Sequence, residues 1–428
     1  MHINQNTITA IPEANRNTGI EPKQNYGTNQ VTGTDQFTEI NRVTGITETS
    51  KLTEILKNRF YSLFNTNTRV HNFEYNVKMK PNYKAVQQKG RIVPIHLQDL
   101  VKEELDKLIA EGHVVRETQV GEDQLISPVV ITRKDNGTVK IAVDATELND
   151  NIVKKKSQMP NIDDIIAQIS VKISENSEKE LFLSSIDLKY AYGQVKLHPE
   201  TSKHCVFTMI GGKVTGHYRY KTGFYGLADM PVIFQEKIDR VLEMKTPAWQ
   251  DDILVVTRGS ANDHFKDVNE ILERLEKAGY RASSEKTELF RKEINWLGYH
   301  ISADGIKPKQ QKTDAILAFK PPTKIKEVRS FLGSVQYLSK FIPRLSDLTE
   351  PLRKLTEKTV TRWNWTEVEQ NAFDQIQSEI TDIKNLAPYH TGKETVLSVH
   401  VSTVGLGATL WQVDNNGKTR LVSFSEIE

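Results

Sequence analysis

The stretch Pro247–Val256, "PAWQDDILVV", sets two carboxylates side by side between a tryptophan and an apolar run. Adjacent aspartates repel, and the Ile-Leu-Val-Val run reads as a strand buried in a core. Asp251 and Asp252 therefore stand at the mouth of a core strand, in a tight hairpin. A third aspartate, Asp187, closes another strand in "LFLSSIDLKYAYGQVKL". One aspartate at a strand end is ordinarily a turn or a cap. Three of them suit a different job, because two divalent cations a few ångströms apart need carboxylates to bridge them. Their mutual repulsion is then relieved when the cations bind.

Working outward, apolar spacing predicts a helix in "HLQDLVKEELDKLIAEGHVV", with Leu97, Leu100, Val101, Leu105, Leu108 and Ile109 on one face and Gly112 as its C-cap. "ISPVVITRKDNGTVKIAVD" reads as two strands around Asp135-Asn136-Gly137, and "FTMIGGKVTGHYRYKT" as a hairpin turning at Gly211-Gly212. "DMPVIFQEKIDRVLEM" is helical after Pro231. "SANDHFKDVNEILERLEKAGY" is an amphipathic helix with Phe265, Val268, Ile271, Leu272 and Leu275 inward. These elements alternate without a regular βαβ beat, which predicts an α+β fold. From Lys307 to Arg362 there are thirteen Lys/Arg against five Asp/Glu, an excess that suits a polyanion partner better than a merely solvated face. After Asn385 the chain reads as a three-stranded antiparallel meander.

The 428 residues carry 37% hydrophobic and 26% charged residues and a net charge of +2, so nucleic-acid affinity has to come from local basic patches. The single cysteine, Cys205, excludes a disulfide framework and argues against a cysteine-cluster zinc site. No apolar run approaches the ~18 residues of a membrane span, and the N-terminus lacks a secretory core, so an intracellular setting with no membrane partner is expected. Residues 1–48 are rich in Thr, Asn, Gln and Gly and read as a disordered tail.

The ordered motifs "IDLKYAYGQVKLHPE", "GFYGLADMPVIFQ", "WQDDILVV", "NWLGYHISADGIKP" and "KEVRSFLGSVQYLSKFIPRLSDLTEPL" resemble a reverse transcriptase of a gypsy-type LTR retrotransposon, over roughly Phe73 to Glu428. The resemblance implies a right-hand polymerase: fingers and palm over 49–300, thumb and connection over 301–384, and an RNase H-like segment over 385–428. It implies an RNA-directed DNA polymerase that takes an RNA or DNA template with its primer, RNA/DNA hybrid and deoxynucleoside triphosphates. The setting implied is the cytoplasm, a retroelement particle or the nucleus. Asp187, Asp251 and Asp252 match the catalytic triad. Asp187 and Asp251 would hold two Mg²⁺ ions, with Mn²⁺ as a substitute and the Leu188 carbonyl assisting, and Asp252 would be more peripheral. Tyr192, five residues after Asp187, matches the gate under the incoming sugar, although a lone tyrosine is otherwise a core aromatic with a wet tip. Tyr225 flanks the nucleotide. Arg133, Lys134 and Lys140 are cations of the fingers hairpin placed to grip a triphosphate, where a solvated hairpin is the plain alternative. Lys286, otherwise ordinary surface, matches the general acid for the leaving pyrophosphate. Trp296, Leu297, Gly298 and Tyr299 match the primer grip.

The sequence departs from the family's pattern in several places. Trp249-Gln250 stand where many relatives have Tyr and another residue, and Lys140 where an Arg is usual. In "VDATELN", Ala145 and Thr146 replace an aromatic and an Arg, so Asp144 is expected to lack its ion-pair partner. In "VHVSTVGLGATLWQ", His400 stands where the first metal-binding Asp of an RNase H belongs, and the family's other acidic positions would lie beyond Glu428. RNase H activity is therefore expected to be absent. The Thr146 and His400 departures also motivate a rival reading: a decayed or co-opted retroelement fragment that only binds nucleic acid.

Overall fold

Asp187 and Asp252 face each other across the two central strands of a four-stranded antiparallel sheet. Its order is Ala248–Trp249, Asp252–Arg258, Leu181–Asp187, Glu288–Arg291. A central strand needs apolar side chains on both faces, and Ile253, Leu254, Leu183 and Ile186 are fully buried. Burying each such side chain is worth about 1.5–3 kcal/mol. That anchorage holds the paired carboxylates in place despite the repulsion between like charges on facing strands. The computed structural model describes residues 48–427 except 66–69, 71–72, 135, 156–158, 358–361, 402–405 and 415–416. The predicted tail lies outside the described residues.

Helix Ile162–Ser174 lays Ile165, Ile166, Ile169 and Ile173 against the sheet and against Trp296, Tyr299 and Ile301. Helix Ala261–Lys277 starts at a capping box, with Ser260 and Asp263 each accepting from the other's backbone N–H. Its inward face differs from expectation by one step. His264 is fully buried, whereas Phe265 is only half-buried. The imidazole is tolerated because its two nitrogens meet Ser184 Oγ and Thr257 Oγ1, both at 2.7 Å. Burial, then Lys292, lowers its pKa to about 3, so it stays neutral.

A second sheet orders Val114–Glu117, Gly216–Tyr220, Val206–Ile210, Ile126–Arg133 and Val139–Val143, with Arg91–Ile92 beside Val206–Ile210. Helix Gln98–Ala110 packs against it through Val101, Leu105 and Leu108. Ile109, expected on that face, is 37% exposed, because the buried stripe is narrower than the apolar one.

Beyond these lies a three-stranded sheet, Ile294–Trp296, Tyr299–Ser302 and Gly305–Pro308. Helices Gln310–Leu317, Ile325–Gln336, Leu345–Lys354 and Glu367–Thr381 follow and share one core around Phe331, Val335, Leu352, Phe373 and Ile376. The chain then returns to the small sheet. Ile306 and Leu386 exchange backbone hydrogen bonds of 3.0 and 2.8 Å, and a Cβ on Gly305 (φ +123°) would fall 2.0 Å from the Leu386 carbonyl oxygen. The Ala387 N–H donates to the Leu421 carbonyl. That carbonyl belongs to the last strand of the predicted meander, Thr395–Val401, Leu406–Val413, Thr419–Ile427.

Candidate active site

The hairpin is as tight as its sequence predicts. Trp249 pairs with Asp252, leaving Gln250 and Asp251 as a two-residue turn. Gln250 takes φ +53° there, and its N–H is met by the buried Gln235 side chain at 2.7 Å. The Asp251 carbonyl accepts from the Leu188 N–H at 2.9 Å, which ties the turn to the end of the Asp187 strand. All three aspartates are thus fixed by backbone bonds at one end of the two central strands.

Their electrostatics follow from that placement. Burial, then Asp251 and then Asp187, pushes Asp252 up to about 6, and burial followed by the Asp187 charge also raises Asp251. Lys286 Nζ lies 3.3 Å from both Asp187 oxygens. Among the described residues, no three His, Cys, Asp or Glu side chains are grouped closely enough to hold a metal ion. Mg²⁺ does not need such a cage, because it is commonly held by one or two carboxylates with substrate phosphates and waters. An all-oxygen donor set in which burial and like charge raise Asp251 and Asp252 fits a hard cation, which relieves that repulsion.

The sign of the pH dependence can be worked out. Asp252 titrates at about 6 when folded, against 3.8 ordinarily, so the folded state keeps a proton that the unfolded chain has released. Its contribution to stability is therefore lost as pH rises from about 4 to about 6. A divalent cation at the carboxylates offsets this loss. The rise in Tm on adding Mg²⁺ should be larger at pH 7 than at pH 4.5, and an equal or smaller rise at pH 7 contradicts the assignment.

Aromatic and cationic residues border the carboxylates. Tyr192, in the turn Ala191–Gln194, packs its ring 5.1 Å from that of Tyr225 and 6.0 Å from that of Phe234. Burial, then Asp251, raises Tyr192 to about 12, and the same two causes raise Tyr225. Lys140 Nζ stands 3.3 Å from the centroid of the Tyr225 ring, its own pKa lowered by burial and then by Lys134. Arg133 and Lys134 are exposed on the same hairpin. The Trp296–Tyr299 hairpin turns through Leu297 and Gly298, at φ +47° and +84°. Tyr337, at the end of helix Ile325–Gln336, donates to the Gly298 carbonyl at 2.9 Å, and a Cβ on Gly298 would meet its hydroxyl at 2.5 Å.

The family model "Reverse transcriptase (RNA-dependent DNA polymerase)" matches residues 131–301, and "RNase H-like domain found in reverse transcriptase" matches 365–426. The chain is 29% identical over 354 residues to the Transposon Tf2-3 polyprotein of Schizosaccharomyces pombe and 28% identical to the Tf2-7 polyprotein, covering 82% of this chain and 25% of each relative. Residues 131–301 are thus similar to reverse transcriptases, residues 365–426 to the RNase H-like domain found in them, and most of the chain to these transposon polyproteins. It spans about a quarter of the length of the transposon polyproteins it matches. A foamy viral protease-reverse transcriptase in complex with dsDNA superposes with a TM-score of 0.75 at 19% identity, covering 93% of this chain and 81% of that one. The same kind of protein with RNA/DNA hybrid gives 0.73 at 18%, covering 94% and 53%. At that identity the likeness concerns the fold: a right-hand polymerase with an RNase H-like segment.

One expectation about the residues around Asp144 is corrected. Asp144 does not lack a partner, because Arg91 Nη2 reaches its Oδ2 at 2.5 Å and the Thr146 hydroxyl donates to Oδ1 at 2.7 Å. The Thr146 hydrogen bond, then Arg91, lowers the Asp144 pKa. Two residues that the sequence did not single out hold these groups: Arg91 braces Asp144, and Gln235 braces the Asp251 turn. Arg91 lies 53 positions from its partner and carries no local signal. Gln235 sits on an apolar-looking helix face, where only its burial betrays a polar task.

Proposed function

We propose that the chain is an RNA-directed DNA polymerase that extends a primer with deoxynucleotides, on RNA and also on DNA. The observation that carries this is the pairing of Asp187 with Asp252 on central strands, with Asp251 in the adjoining turn. Asp187 and Asp251, with the Leu188 carbonyl, would hold Mg²⁺, and Asp252 would act at the periphery. When bound, two such ions lower the pKa of the attacking hydroxyl and neutralise charge on the transferring phosphate. Tyr192 bounds the sugar and Tyr225 flanks the nucleotide. Lys140, Arg133 and Lys134 grip the triphosphate, and Lys286 protonates the departing pyrophosphate. The Trp296–Tyr299 hairpin holds the primer end, where a small displacement costs about 100-fold in rate.

In this reading residues 49–300 form fingers and palm, 301–384 the thumb and connection, and 385–428 an RNase H-like segment. His400 offers a nitrogen where an RNase H needs a carboxylate, so this segment serves structure rather than hybrid cleavage. Primer extension on an RNA template with Mg²⁺ and deoxynucleotides tests the proposal, and duplex binding without extension would favour the decayed-fragment reading instead.

The basic excess of 307–362 supplies a sequence-independent grip on phosphates. Lys320 and Lys326 are exposed there. Changing either to Ala should weaken hybrid binding for every sequence. It should also flatten the dependence of log K on the logarithm of salt concentration, by about one unit of slope for each phosphate no longer neutralised. Weakening confined to one template sequence would contradict this.

A further inference from the structure

Tyr192 is held at both ends. Its ring lies against Tyr225 and Phe234, and its hydroxyl donates to Gln250 Oε1 at 2.7 Å. Gln250 precedes Asp251 in the turn, and its N–H donates to Gln235 Oε1. Gln235, 2% exposed, gives its Nε2 hydrogens to the Ala248 carbonyl at 3.1 Å and to Asp239 Oδ1 at 2.9 Å. With a donor facing Oε1 and two acceptors facing Nε2, only one orientation of this amide satisfies all its partners. A run of hydrogen bonds thus leads from Asp239 through Gln235 and Gln250 to the tip of Tyr192.

We propose that Gln250 is a specificity-determining positioning residue for the sugar of the incoming nucleotide, acting by pinning the Tyr192 ring. The inference rests on the reading of Tyr192 as the gate. A steric filter rejects a 2′-hydroxyl only as far as the ring refuses to yield. With the Gln250 bond in place, a ring that swings aside must break a part-buried hydrogen bond. That cost falls on the ribonucleotide, which needs the swing, and spares the deoxynucleotide, which does not. The aromatic neighbours hold the body of the ring, and Gln250 holds its tip.

The experiment measures kcat/KM for a deoxynucleotide and its ribonucleotide in the wild type, Gln250→Met, Tyr192→Phe, the double variant and Tyr192→Ala. Gln250→Met keeps the length of the side chain and removes the acceptor. Tyr192→Phe removes the same bond from the other end with the ring intact, so it serves if the first variant folds poorly. Each single change should lower the deoxy/ribo ratio by roughly three- to tenfold, the worth of one hydrogen bond. The double variant should fall no further than either single one. A Gln250 that only shapes the turn would slow both substrates alike and leave the ratio unchanged, which would overturn the proposal. An additive double variant would overturn it too. If Tyr192→Ala also leaves the ratio unchanged, the gate reading itself has failed. If Tyr192→Ala lowers the ratio while Gln250→Met and Tyr192→Phe do not, the gate stands and only the role of Gln250 is lost.

Discussion

Asp251→Asn should reduce Mg²⁺-dependent primer extension by about three orders of magnitude or more, with binding of a primed hybrid retained. The amide keeps the shape of the side chain and an oxygen to accept from the backbone N–H of residue 251, and the turn is also held by the Leu188 N–H, the Gln235 side chain and the Trp249–Asp252 pair. What it removes is one of the negative charges that a cation would neutralise. A second readout separates this from simple damage. Asp252 is raised by burial and then by Asp251, so removing the Asp251 charge should lower the Asp252 pKa. The metal-free variant should then be at least as stable as the wild type at pH 7. Extension near the wild-type rate would reject the metal assignment, and a fall in stability matching the loss of activity would make Asp251 a structural residue.

The second large effect concerns the choice of sugar. Tyr192→Ala should raise ribonucleotide incorporation far more than it lowers deoxynucleotide incorporation. The ring sits among Tyr225, Phe234 and the Asp251 turn, so its removal opens space next to the carboxylates rather than in a remote core. Each tenfold change in the ratio of kcat/KM corresponds to about 1.4 kcal/mol of lost discrimination. If Tyr192 were only a packing aromatic, its truncation would cost about 3–5 kcal/mol of stability and depress both activities together. Measuring both substrates together with thermal unfolding on one variant decides between these outcomes.

The strands and the carboxylates were legible in the sequence because each rests on local pattern. A continuous apolar run after Asp251-Asp252 marks a central strand, and a two-residue turn leaves few ways to close the hairpin. The C-cap at Gly112, at φ +72°, is local in the same way. What escaped was polar and long-range. A periodicity reading prefers Phe265 to His264, since it cannot see Ser184 and Thr257 waiting for two ring nitrogens. It leaves Asp144 without a partner because Arg91 comes from another element, brought near only by the second sheet. Gln235 looks like a polar interruption of a helix until the hairpin arrives beside it.

The crossing of Gly305-Ile306 with Leu386 turns the intervening helices into a closed loop rather than a pendant arm. Their entrance and exit meet at one point, clamped by two backbone hydrogen bonds and too close for any side chain at position 305. A displacement of the helices as one body, with those bonds intact, is anchored there and again where Tyr337 and Phe341 meet the small sheet. The crossing lies on the same small sheet as the Trp296–Tyr299 hairpin, and Tyr337 links the two again at Gly298. The hinge and the hairpin therefore share one foundation. Because Tyr337 also ties the helices to Gly298 and stacks on Tyr299, an outward push on the helices would load the hairpin together with the hinge.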